Sequence, residues 1–164
     1  MYSYGVTKAE VGIFSAVDGS VSGWKEIELY KDTFTMGEDD PTQNEHYQQG
    51  VASPKIVRET TAPTKINFSL MDLSADSKIE WIGGTKTTVA TVDTWHSPRL
   101  KRSKIKALRF TLEEGGVITI AKVQTYAKPD VKASDADINL MLVTGTVLDP
   151  GFEDVLPIDW KDAE

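Results

Sequence analysis

The chain has two histidines, His46 and His96, and no cysteine, so residues able to serve as a neutral-pH base or a soft metal ligand are scarce. His46 lies near Asp39, Asp40 and Glu45 in sequence, and His96 follows Asp93 by three positions. Pairing His96 and Asp93 with one of the serines makes a hydrolytic triad only on paper. Triads are defined by geometry, and nothing resembling a nucleophile elbow is present. His96 reads instead as a capping residue in a turn between Trp95 and Pro98. Glu38-Asp39-Asp40 offers hard oxygen donors but lacks the spaced ligands and turn glycine of a calcium loop. Gly83-Gly84 and Gly115-Gly116 suit a helix stop and a hairpin, not a phosphate cradle. None of the 25 acidic residues is set apart by its context as half of an acid–base pair. The sequence is therefore expected to have no catalytic residue, no metal site and no cofactor.

The composition is that of an ordinary globular domain. Apolar residues are 40% and charged residues 26% of the 164, enough to bury a core without staples. No apolar run approaches the roughly 20 residues that span a bilayer, and Met1-Tyr2-Ser3-Tyr4-Gly5 has neither a basic nor an apolar leader region. A soluble protein made in a reducing cytosol, without a membrane partner, is expected. The net charge of −7 argues against general nucleic-acid binding, which needs clustered cations. The charge is uneven, however. Arg99, Lys101, Arg102, Lys104, Lys106 and Arg109 form a stretch with no acid. The other 12 of the 18 cations face all 25 acids, a net of −13 outside it.

Alternation of apolar and polar residues is the dominant pattern. It predicts strands over Lys8–Ala16 (Ala9, Val11 and Ile13 on one face), Trp24–Tyr30, Thr33–Met36, Lys55–Thr61 and Thr64–Asp72. Further strands are expected over Thr87–Val92, Lys104–Leu112, Val117–Ala127 and Asp137–Leu148. Asp93–Pro98 reads as a turn and Pro129–Asp137 as a polar loop. One short helix is expected near 74–83, with Ser74 as N-cap, Asp76 in the first turn and Gly83-Gly84 as the stop. Residues 37–54 are nearly devoid of apolar side chains and read as a protruding loop. Gly151–Glu164 reads as an acidic tail in which Phe152, Leu156, Ile158 and Trp160 dock sporadically. The expected fold is mainly β: two packed antiparallel sheets, a sandwich or barrel, with one short α-helix. The domain would occupy 1–150 and the tail 151–164. Tyr2, Tyr4, Tyr30, Tyr47, Tyr126 and the tryptophans read as core or satellite packing.

The order of these elements resembles the tail tube (major tail) proteins of tailed bacteriophages. The segment Asp40-Pro41-Thr42-Gln43-Asn44-Glu45-His46-Tyr47 carries part of the likeness. The Thr-rich run Arg58–Leu70 and the helix ending Glu80-Trp81-Ile82-Gly83-Gly84 carry the rest. The likeness is one of pattern and spans roughly residues 24–148. It implies a fold shared with the tube proteins of contractile injection systems. It also implies six-membered rings that stack into a hollow tube, a long loop that reaches a neighbouring subunit, and a commonly acidic bore. On this view the chain is a virion tail protein made in the host cytoplasm. Its partners would be further copies of itself and other tail proteins, with DNA passing only as non-specific cargo.

The residues expected to make inter-subunit contacts are Glu38, Asp39, Asp40, Asn44, Glu45, His46 and Tyr47 in the loop. Arg99, Lys101, Arg102, Lys104 and Lys106 are expected to do so in the cationic stretch. That stretch is read either as a solvated strand face or as an electrostatic contact with an acidic surface on another copy. It has only Trp95 and Phe110 at its margins, too few aromatics for a nucleic-acid site. Two other readings stand beside the tail tube: a tube subunit of a contractile injection apparatus, and a carbohydrate- or surface-binding β-sandwich module. The latter would use Trp24, Trp95 or Tyr47 as stacking platforms.

Overall fold

A computed structural model of the chain describes residues 5–132 and 134–163. Tyr2 and Tyr4, expected to pack as satellites of the core, lie outside them. Twelve strands and one helix are found among the described residues, and the fold is mainly β and sandwich-like. Eight strands form one sheet. Its path is β2 (Val21–Ile27), β1 (Val6–Phe14), β9 (Lys104–Leu112), β10 (Val117–Asp130), β11 (Leu140–Val147), β6 (Thr64–Leu70) and β3 (Thr35–Glu38). β12 (Ile158–Lys161) pairs with β10 off this path.

β10 makes one sheet into two facing leaves. Its first residues pair with β12 (Val117↔Lys161 to Ile120↔Ile158), and the rest pair with β11 (Val123↔Val147 to Asp130↔Leu140). Between these halves the register against β9 shifts. Buried positions move from Ile118 and Ile120 to Val123, Thr125 and Ala127, the change of parity an inserted residue imposes. One leaf is then β2-β1-β9-β10-β12. The other is the start of β9 with β10-β11-β6-β3. Phe110 of β9 meets Phe68 of β6 across the core at 5.9 Å and Phe34 at 4.1 Å between ring centroids. Ile66, Leu70, Leu108, Met141 and Val143 complete this dry contact.

Helix α1 (Ala75–Trp81) forms where the capping residues predict it. Ser74 Oγ accepts from the Ser77 amide at 3.2 Å, and Asp76 lies in the first turn. Trp81 is buried edge-on to Phe68, with 5.8 Å between centroids. The chain leaves the helix through Gly83 and Gly84, at φ +100° and +101°. A Cβ on Gly84 would stand 2.2 Å from the His96 carbonyl oxygen, so glycine is obligatory there.

Four expectations need correction. Ile13 is 66% exposed because the β1–β2 register shifts between Val11 and Ile13, ending the inward face at Val11. Residues 37–54 are not an irregular loop. They contain the end of β3, all of β4 (Thr42–His46) and the turn into β5 (Ile56–Thr60), and β4 and β5 form a separate two-stranded sheet. The stretch 93–98 is not simply a turn. β7 (Thr85–Val89) and β8 (Val92–His96) form a second hairpin that reverses at Ala90-Thr91. The acidic tail contributes β12 to the main sheet, and Phe152 packs on Phe14 with 6.5 Å between centroids.

Candidate assembly surface

The β4–β5 hairpin grows out of the main sheet as an arm. Glu38 of β3 is the register partner of Thr64 of β6, so residues 39–63 are an excursion between two adjacent strands. Every residue of β4 and β5 is exposed. Alternation leaves no hydrophobic period because neither face is buried, which is why the polar run Thr42–His46 does not announce a strand. Cross-strand polar contacts hold the arm: Gln43 Nε2 donates to Glu59 Oε1 at 2.7 Å, and the Lys55 amide donates to the His46 carbonyl at 2.8 Å. Ile56 and Val57 point to opposite faces, and both stand in water with Tyr47 and Val51.

The expected contact residues of this region occupy three settings. At the root, Thr64 Oγ1 donates to Glu38 Oε1 at 2.5 Å, and Lys65 pairs with Asp39. Asp40 is exposed between β3 and β4. On the arm itself, Asn44 and His46 share one face with Ile56 and Arg58, while Glu45 shares the other with Val57 and Glu59. The Tyr47 hydroxyl donates to Glu45, which raises the Tyr47 pKa.

The cationic stretch divides in two. On β9 the even positions 104 to 112 face the core side, so Lys104 and Lys106 point inward under α1 while Ile105 is 44% exposed. Lys104 Nζ donates to the Ile79 carbonyl at 2.5 Å and to the Glu80 carbonyl at 2.9 Å. It thereby satisfies orphan acceptors at the negative end of the helix. Burial lowers the Lys104 pKa, repulsion from Lys106 adds to this, and Glu80 opposes it. Lys106 Nζ lies 3.5 Å from Glu80 and 5.7 Å over the Trp81 ring, and Lys25 of β2 reaches the other Glu80 oxygen at 3.3 Å. Arg109 donates to Glu10 at 2.8 Å and stacks 4.3 Å from the Trp24 ring.

Lys104 and Lys106, expected to contact another subunit, are placed against the helix of their own chain. Arg99, Lys101 and Arg102 sit instead on the exposed segment 99–103, with Leu100 67% exposed among them. Among the described residues none of the three has an ion-pair partner.

The second hairpin uses its polar residues on itself and on α1. Lys86 bridges Asp76 at 2.7 Å and Asp93 at 3.3 Å, and Thr88 donates to Asp93 at 2.5 Å. The Thr88 hydroxyl and then Lys86 hold the Asp93 pKa down, while Asp76 and then Asp93 raise that of Lys86. His96 Nε2 lies 2.9 Å from the Thr87 hydroxyl instead. Asp93 and His96, three apart on a strand, point to opposite faces and make no dyad. Among the described residues no three His, Asp or Glu side chains gather as a metal site, and no helix is long and apolar enough to cross a membrane. Two of the three expected stacking platforms are occupied internally. Arg109 covers Trp24, and Trp95 Nε1 donates to the Gly83 carbonyl at 2.9 Å while its ring packs against the core.

Sequence reasoning missed two features. One is Glu80 as the acceptor of two lysines from the sheet. The other is the exposed pair Ile56-Val57, whose only signal is two adjacent apolar residues in a polar run. Comparison of the chain with protein-family models and with curated proteins gives no match.

Proposed function

We propose that the chain is a structural subunit of a phage-type tail tube. Copies associate into rings, the rings stack into a hollow conduit for DNA, and no residue performs chemistry. The observation that carries this reading is the β4–β5 arm. A two-stranded hairpin alone in water is marginally stable, and this one holds Ile56, Val57, Tyr47 and Val51 exposed while pairing, among the described residues, with no other strand. A surface of its own kind is the natural cover, because the main sheet, among the described residues, also ends in strands with a free side, β2 and β3. The net charge of −7 suits a conduit to which DNA does not adhere.

The arm can be removed without disturbing the sheet, since Glu38 and Thr64 already face one another. Replacing Asp39–Pro63 by Asn-Gly leaves Glu38 and Thr64 flanking a two-residue turn and converts β3–β6 into a simple hairpin. The variant is expected to fold and to sediment as a monomer at concentrations where the full chain forms large assemblies. Assemblies of unchanged size from the armless variant would overturn the reading.

A further inference from the structure

One row of register partners crosses the second leaf: Ile105, Gln124, Thr146, Lys65 and Gly37. The cationic segment 99–102 enters this row at one end, just before Ile105. The acidic arm leaves it at the other, just after Gly37. The two ends are separated by four strand spacings, about 19 Å. The root of the arm carries Glu38, Asp39 and Asp40, with Lys65 paired to Asp39, and one face of the hairpin carries Glu45 and Glu59 while Lys55 and Arg58 balance them in number, so residues 38–65 sum to −2. The segment 99–102 carries Arg99, Lys101 and Arg102 and no acid, a net of +3. Each surface also exposes apolar side chains, Leu100 on one and Ile56 and Val57 on the other. Opposite charges thus lie on opposite flanks of the same leaf.

We infer that the arm of one copy docks on the 99–102 segment of the next, side by side. This rests on the reading of the chain as a self-assembling subunit. The contact is head-to-tail, because the two surfaces differ, and such a contact propagates and closes into a ring when its rotation closes. Opposed charge fixes the order of the partners and speeds encounter, and the apolar side chains add burial. The same logic explains why three cations of the stretch dock elements of their own chain while three stay in water.

The test is a charge exchange followed by sedimentation velocity at several protein concentrations. Lys101→Glu with Arg102→Glu reverses the segment. Glu45→Lys with Glu59→Lys reverses the arm on one of its faces. Each pair alone is expected to weaken association by about tenfold or more, since like charges then meet, and the four changes together are expected to restore it. Association of the unaltered chain is expected to weaken as salt rises. Association of a reversed variant as strong as that of the unaltered chain, or association not restored by the combination, overturns the docking while leaving self-assembly standing. An unaltered chain that stays monomeric at every concentration overturns both. If a reversed variant loses its native melt, the neutral pair Lys101→Gln with Arg102→Gln decides: docking predicts weaker association with a smaller salt dependence, and unchanged association overturns it.

Discussion

Lys104 and Lys101 are three residues apart and stand in opposite settings, one under the helix and one in water. Lys104 satisfies two helix-end carbonyls, so Lys104→Met is expected to cost about 1 to 2 kcal/mol in urea denaturation and to loosen α1. Lys101→Glu is expected to leave stability within about 0.5 kcal/mol, as exposed substitutions do, and to act on association alone. Glu10 supplies a pH dependence. It is 8% exposed, and its pKa lies below the ordinary 4.5, chiefly because Arg109 donates to it; Lys8 assists and burial opposes. A carboxyl depressed in the folded state adds stability above its unfolded value. That stability is lost as pH falls from about 4.5 through the folded value. Glu10→Gln is therefore expected to flatten the acid limb of a stability–pH curve. An unchanged limb would show that the Arg109 pair is not coupled to folding. Arg109→Ala, which strands the carboxylate and uncovers Trp24, is expected to cost about 2 kcal/mol, discounted for the partial exposure of the arginine.

At the scale of elements, legibility followed burial. β6 was plain because Ile66, Phe68 and Leu70 all enter the core, and α1 was plain because Ser74, Asp76 and Gly83 mark its ends. β4 was hidden because exposed strands have no hydrophobic period. β8 was hidden because its turn carries Ala90 and Thr91 at φ +48° and +70°, positions where Asn and Gly are the usual signal. That turn yields a prediction: Ala90→Asn with Thr91→Gly is expected to stabilise the protein by about 1 kcal/mol, read as a higher Tm. Gly84→Ala is expected to do the reverse, costing about 2 kcal/mol or more, because its Cβ meets the His96 carbonyl at a positive φ. The cationic stretch was visible in sequence, but its division was not. The inward turn of Lys104 and Lys106 depends on α1 lying over the start of β9, and no local pattern encodes that.

For the whole molecule, a self-assembling subunit needs unfinished surfaces on a folded domain with a finished core: an arm exposed on both faces, strands with a free side among the described residues, and separate acidic and basic flanks. Electron microscopy of the purified full chain across a concentration series tests this most directly. The account predicts ring-shaped particles that stack into hollow filaments of uniform width as concentration rises. Solitary particles of about 18.1 kDa at every concentration and salt would contradict it.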